Sequence, residues 1–252
     1  MAAAEGARPP LPPPEFERSK DAGDAAGWCP SSCAMENALI IGATGGIGSA
    51  VSKELARRGF NVTGVSRKDG LDVTDPVSVE HVMREIEGPF GLIFIGIGTL
   101  AAGGSPEKSL GALEADQMAR VMTVNAIGPA LILRHMERLL PREGRSVVGV
   151  LSARVGSIGD NKIGGWHSYR ASKAALNQIV HGTAIEVGRK RREAVIAALH
   201  PGTVATPFTE GYPAHKKVTP QEAAENLCNV MMGLDVSQSG GFFDYSGARV
   251  PW

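Results

Sequence analysis

Tyr169 and Lys173, in the run Tyr169-Arg170-Ala171-Ser172-Lys173, are the pair whose types and spacing could do acid–base chemistry. Residues four apart on a helix lie on one face, a single turn from each other. A free tyrosine titrates near pH ~10 and exchanges protons poorly at neutrality. An ammonium held beside it stabilises the phenolate and lowers that value. Such a pair suits proton exchange with the oxygen of a carbonyl or an alcohol. The same spacing also describes a surface tyrosine lying along a lysine stem. The elements that position the pair decide between these readings.

The first such element is the run Gly42-Ala43-Thr44-Gly45-Gly46-Ile47-Gly48. It follows the apolar stretch 37–41 and opens a segment over 47–58 with Ile47, Ala50, Val51 and Leu55 at helical spacing, which Gly59 ends. Phe60 to Ser66 reads as the next strand. Strand, glycine turn, helix and strand within about 30 residues make a βαβ unit and predict a parallel sheet. Glycines let the backbone approach a pyrophosphate, and the helix start offers it unpaired N–H groups. Gly42, Gly46 and Gly48 fit Gly-x-x-x-Gly-x-Gly, whereas Gly42, Gly45 and Gly48 fit Gly-x-x-Gly-x-x-Gly. The modest length of the folded stretch favours the first. At the end of the second strand, Ser66-Arg67-Lys68 stands where a carboxylate would accept hydrogen bonds from an adenosine ribose. A guanidinium and an ammonium there favour a 2′-phosphate, hence NADP(H) over NAD(H).

Further along, Asp72-Val73 reads as a short third strand, and Pro76 opens a helix running to about Glu87. Strands are expected over 92–96, 146–151, 194–199 and 241–245. Helices are expected over 116–140 (with a break near Asn125 to Pro129), 167–186 and 219–233, the last between Thr219-Pro220 and Gly233. The glycine-rich segments 101–112 and 153–165 read as loops. The pattern is α/β: a single Rossmann-type, doubly wound parallel sheet with helices on both faces, spanning 36–252. Residues 1–35 differ, with Arg8-Pro9-Pro10-Leu11-Pro12-Pro13-Pro14 amid alanine, glycine and charge, and read as a disordered tail.

The 26 basic residues balance the 26 acidic ones, so no bulk charge draws the chain to nucleic acid or an anionic membrane. No apolar stretch approaches the ~20 residues of a membrane span. Three cysteines, Cys29, Cys33 and Cys228, suit a reducing compartment. Cys29 and Cys33 have no second Cys/His cluster, and no metal is expected. The expected location is cytoplasmic. The tail's acidic residues argue only weakly against a transit peptide, which leaves a plastid or other organelle open.

Gly42 to Gly48, Asn125, Tyr169-x-x-x-Lys173 and Pro201-Gly202, in this order and at these separations, resemble the short-chain dehydrogenases/reductases over 36–252. Leu151 to Ile158, Gly164-Gly165-Trp166 and the ending Val250-Pro251-Trp252 resemble the C-factor-like branch, close to sniffer-type carbonyl reductases. The resemblance implies that Tyr169 exchanges a proton with the substrate oxygen. Lys173 would bind the nicotinamide ribose and depress the tyrosine pKa, and Asn125 would hold a water linking that lysine to solvent. Cofactor contacts are implied for Gly42, Thr44, Gly45, Gly46, Ile47, Gly48, Ser66, Arg67, Asp72, Gly96, Asn125, Tyr169, Lys173, Pro201, Gly202 and Thr203, with Thr206 a weaker candidate.

Two departures stand out. The family's Asn-Asn-Ala-Gly is here Ile95-Gly96-Ile97-Gly98, and the second serine of its Ser-Ser pair is Ala153. Ser152 is then the candidate catalytic serine, and Ser157 an alternative. His167 is a candidate pocket residue and His200 reads as support for the loop after its strand. Histidines 81, 135, 181 and 215 read as surface or structural groups. Trp166 and Phe208 read as pocket walls or core.

The expected activity is NADP(H)-dependent interconversion of a small carbonyl compound and its alcohol, by a homodimer or homotetramer. A cofactor-binding regulatory protein with little turnover is the alternative, favoured by the two departures. An epimerase or dehydratase with a tightly held cofactor is a third reading.

Overall fold

Short runs of aliphatic residues without polar alternation build the sheet, as expected of strands covered on both faces. The computed structural model describes residues 36–210 and 217–252. The proline-rich tail, Cys29, Cys33 and His215 lie outside the described residues. The strands are β1 (Asn37–Ile41), β2 (Asn61–Val65), β3 (Leu92–Ile95), β4 (Ser146–Leu151), β5 (Ala194–His200) and β6 (Phe242–Asp244). They form one parallel sheet in the order β2-β1-β3-β4-β5-β6.

The helices are α1 (Gly46–Arg57), α2 (Pro76–Glu85), α3 (Ala115–Met122), α4 (Gly128–Leu133), α5 (Met136–Leu139), α6 (His167–Gly188) and α7 (Pro220–Gly233). Ile41, Ile95, Val150 and Ala198 face a core layer containing residues of α2, α4, α5 and α6. Ala38, Ile40, Phe94, Val147 and Leu199 face a second layer with α1 and α7. The sheet is therefore doubly wound. Thr219 caps α7 by accepting from Glu222 N (3.1 Å), with Pro220 behind it.

Two expectations need correction. Asp72-Val73 forms no strand. Asp72 Oδ1 accepts from Thr74 N (2.9 Å) and Thr74 Oγ1 (2.7 Å), which curls the chain into a turn. The preceding span holds only a short 3₁₀ turn, Arg67–Asp69, and Gly70 in the left-handed region. As a result β2 is an edge strand with most of its residues partly or fully exposed. Nor is the segment near Asn125 broken. A π-helical stretch, Thr123–Ile127, carries the chain from α3 into α4. Pro129, at the start of α4, has no N–H to donate to the carbonyl of Asn125 four residues before it.

Candidate functional site

The winding reverses between β1 and β3, since β1 leads to β2 on one side and β2 returns across it to β3 on the other. In open α/β sheets the crevice beyond the strand C-termini at such a point is where ligands bind. Here it is a cleft of about 650 Å³. Of the residues singled out in the sequence, Gly42, Thr44, Gly45, Ser66, Arg67, Asp72 and Gly96 line it.

The glycine turn is built for close backbone approach. Gly42 has φ +89°, and a Cβ there would lie 2.7 Å from Gly96 O. A Cβ on Gly48 would lie 2.2 Å from Gly42 O, and one on Gly46 would lie 2.8 Å from Thr206 Cγ2. At Gly45 the nearest atom would be 3.3 Å away. The steric demand thus falls on positions 42, 46 and 48, the first of the two spacings. Gly45 is the N-cap of α1 and offers no side chain to it, and the first turn holds no acidic residue. The N–H groups of Gly46, Ile47 and Gly48 consequently face the helix start without side-chain acceptors, an arrangement that attracts anions.

At the end of β2, Arg67 lines the cleft and Lys68 does not. A carboxylate does stand near, contrary to the sequence reading: Asp69 Oδ2 accepts from Ser66 N and Ser66 Oγ, both at 2.9 Å. It is absorbed in capping the turn and is not part of the cleft wall. Hydrogen bonds from Thr74 hold the Asp72 carboxyl below its ordinary range, helped by Arg67.

The tyrosine–lysine pair lies on α6. Tyr169 is 6% exposed and Lys173 2%. Lys173 Nζ donates to Leu151 O at the end of β4 (2.9 Å). Its head lies against Gly98: a Cβ on that glycine would be 3.4 Å from both Lys173 Nζ and Asn125 Oδ1. Gly98 is the glycine that the resembled Asn-Asn-Ala-Gly also carries, so this contact does not bear on the changes at 95–97. Asn125 is fully buried and clamps two elements together. Its Oδ1 accepts from Thr99 N (2.7 Å), and its Nδ2 donates to Thr99 O (2.8 Å) and to Ser172 Oγ (2.9 Å). The loop after β3 is thereby fixed to α6.

Burial raises the Tyr169 hydroxyl above its ordinary value and lowers Lys173 to about 7. The tyrosine is thus a protonated acid at neutral pH, and its burial works in the same direction.

A second cavity of about 460 Å³ adjoins Tyr169. Leu100, Ala153, Val155, Ile163, Trp166 and Phe208 give it apolar walls; Tyr169, Gly202, Thr203 and His200 also line it. The rings of Trp166 and Phe208 lie 6.2 Å and 6.0 Å from that of Tyr169, edge-on and tilted contacts of the favoured kind. Pro201 is buried beside this cavity without lining it, and His167 does not line it.

Ser152 requires correction. It is 3% exposed, lines neither cleft, and its hydroxyl donates to Asn177 Oδ1 (2.6 Å) inside the protein. Strand alternation sends it under α6, and Ala153 takes the wall position. Ser157 is 1% exposed, absent from the wall, and accepts from Asp160 N (3.1 Å).

Several supporting residues gave no sequence signal. Glu107 accepts from Ser168 N (3.3 Å) and Ser168 Oγ at the start of α6, and its carbonyl accepts from Trp166 N (2.5 Å). Burial works against its charge, but the Ser168 hydrogen bonds hold its carboxyl below the usual range. Trp166 itself sits at φ +53°, the one non-glycine residue among those described with positive φ. Gly156 packs on α6 so closely that a Cβ would lie 2.8 Å from the Lys173 backbone. Such contacts join segments distant in sequence, which local pattern does not reveal. Among the described residues, no His/Cys/Asp/Glu group could hold a metal, and no helix is long and apolar enough to cross a membrane.

Comparison with known proteins gives the family and the fold. Residues 42–233 match the family model described as Enoyl-(Acyl carrier protein) reductase. The chain is 32% identical to 1-hydroxy-2-glutathionyl-2-methyl-3-butene dehydrogenase of Rhodococcus sp. (strain AD45), over 86% of this chain and all of that protein. It is 39% identical to C-signal of Myxococcus xanthus over 57% of this chain and 84% of that one. A short-chain dehydrogenase/reductase from Burkholderia multivorans with bound NADP superposes with TM-score 0.73 at 27% identity, over 86% of this chain and all of that one. Carbonyl reductase Sniffer of D. melanogaster shares the fold, with TM-score 0.71 at 20% identity over 86% of this chain and all of that one.

Proposed function

The chain belongs to the short-chain dehydrogenase/reductase family of oxidoreductases, and from that premise and the site geometry we propose that it reduces a small carbonyl compound with NADPH, or oxidises the corresponding alcohol with NADP⁺. One observation carries the reading. The buried Tyr169–Lys173 pair links the cleft and the apolar cavity, with Tyr169 on the cavity wall and the lysine head against Gly98 of the cleft.

The residues present fit a dinucleotide. The open N–H groups of 46–48 and the backbone at Gly42 and Gly96 would receive the pyrophosphate. Asp72 would meet the adenine and Lys173 the nicotinamide ribose. Thr203 would lie at the nicotinamide amide. When bound, the nicotinamide supplies or accepts the hydride. The protein's part is to hold the carbonyl against Tyr169 and to hand its oxygen a proton. Burial keeps that tyrosine protonated, which suits reduction. Asn125 keeps the Thr99 loop and α6 in register. Its carbonyl, lacking the usual helical donor from Pro129, is the acceptor we assign to a water serving Lys173.

Arg67 on the cleft wall supports NADP(H) over NAD(H), as does the bound NADP of the Burkholderia relative. The apolar walls support a small, largely apolar carbonyl substrate. We assign the chain to a homodimer or homotetramer, to be tested by sedimentation. A second reading, a cofactor-binding regulatory protein with little turnover, draws on Ala153, which puts a methyl group where a hydroxyl is expected. Screening NADPH consumption against aldehydes, ketones and quinones separates the two. Turnover supports the enzyme, and tight NADPH binding with no turnover across the panel supports the regulator.

A further inference from the structure

We propose that His200 is the second hydrogen-bonding side chain at the substrate oxygen, supplying the contact that Ala153 lacks; this rests on the carbonyl-reductase reading. Ala153 lines the substrate cavity with a methyl group, and the Ser152 hydroxyl beside it is turned inward to Asn177. The neighbouring strand end offers a replacement. In the β4–β5 pairing Leu151 stands opposite Leu199, and Ser152 N donates to Leu199 O (2.7 Å), so His200 comes next to the Ser152-Ala153 end. Ile196 and Ala198 both face the core layer that contains α6. Alternation places His200, like Ser152 beside it, on the face toward α6, and at the end of the strand it reaches the cavity wall that Ser152 does not.

His200 lines the cavity together with Tyr169 and Ala153. Of the other polar side chains of the wall, Thr203 is the one assigned above to the nicotinamide amide, and three more are engaged within the protein. Arg170 donates to Gly165 O (3.0 Å) and Val155 O (3.3 Å), Arg154 to Asp160 (2.7 Å), and Thr209 Oγ1 to Val204 O (2.5 Å). The His200 ring makes no hydrogen bond to any described residue, and its Nδ1 is buried without a partner. With Nδ1 enclosed by protein, Nε2 is the ring nitrogen left to meet a group bound in the cavity.

Burial pushes His200 down to about 4, the Asp244 carboxylate opposing and Arg154 assisting. Near neutral pH the ring is uncharged, with one N–H donor and one acceptor nitrogen. It holds the carbonyl oxygen by a hydrogen bond and keeps its own proton, which leaves proton delivery to Tyr169. A similar contact elsewhere contributes about 10²–10³-fold in rate.

The test uses the full chain, NADPH and benzaldehyde, with His200→Ala and the double variant His200→Ala/Ala153→Ser. The expected result is a kcat about 10²-fold lower in His200→Ala, with NADPH affinity by fluorescence titration within about twofold of wild type and the folded far-UV spectrum retained. Restoring a hydroxyl at 153 should recover at least about tenfold of that loss, which a purely structural role for His200 would not allow. Wild-type kcat in His200→Ala, or equal loss in the single and double variants, overturns the assignment alone. A wild-type protein that reduces neither benzaldehyde nor any other carbonyl of the panel overturns it together with the reading beneath it.

Discussion

Replacing Asn125 by alanine tests whether the site is held together by the clamp between α6 and the loop after β3. The carboxamide is fully buried and makes three hydrogen bonds of 2.7–2.9 Å. Truncation leaves Thr99 N and Thr99 O without partners. It also removes a donor from Ser172 Oγ, which still donates to Tyr169 O (2.8 Å). An abandoned buried group costs about 1–3 kcal/mol and an ordinary lost bond about 1 kcal/mol. Thr99 lines the cleft, where water can reach it, so the lower figure applies to both its groups. The sum is about 3 kcal/mol, or roughly 6–12 °C in Tm for a domain of this size. Urea unfolding of Asn125→Ala should show a lowered midpoint with an unchanged slope. Cofactor affinity should fall as well, because Gly98 and Thr99 form part of the cleft wall. A loss below about 1 kcal/mol, at full NADPH affinity, would refute the clamp.

Arg67→Ala should weaken NADPH at least about tenfold more than NADH in fluorescence titrations, since a charge-assisted contact to the 2′-phosphate contributes about 1.5–3 kcal/mol; equal losses for the two nucleotides would sink the assignment. Glu54, fully buried on α1, is held at about 2, chiefly by its hydrogen bond from Arg57, with Arg58 also contributing. A folded pKa below the unfolded value stabilises the protein above about pH 4.5 and loses that stability as pH falls toward 2. Acid unfolding of Glu54→Gln should therefore show a flatter dependence than wild type between pH 5 and 2, and parallel curves would contradict it.

Much of this arrangement was legible because it is local. The glycine turn, the Thr219-Pro220 cap and the helical spacing of Tyr169 and Lys173 are written within a few residues of each other, and each lies where pattern places it. What pattern missed depends on the third dimension. Asp72-Val73 has strand-like composition, yet the Asp72–Thr74 hydrogen bonds turn the chain before it can pair. Asp69 is three residues from Ser66, but only the folded turn shows its carboxylate taking up the Ser66 hydroxyl. His200 read as loop support because its strand neighbour Ser152, far earlier in the chain, becomes adjacent only through the β4–β5 register. The fate of Ser152 followed from alternation. Its partner Asn177 did not, since that contact needs α6 seated on the sheet.

The most direct test of the central claim is NADPH oxidation at 340 nm by wild type and Tyr169→Phe across a panel of aldehydes, ketones and quinones. The expected result is carbonyl-dependent NADPH consumption by wild type that falls by at least about 10²-fold in Tyr169→Phe, with NADPH still bound at near wild-type affinity. Turnover that survives the loss of the hydroxyl, or its absence in wild type against the whole panel, would contradict the account.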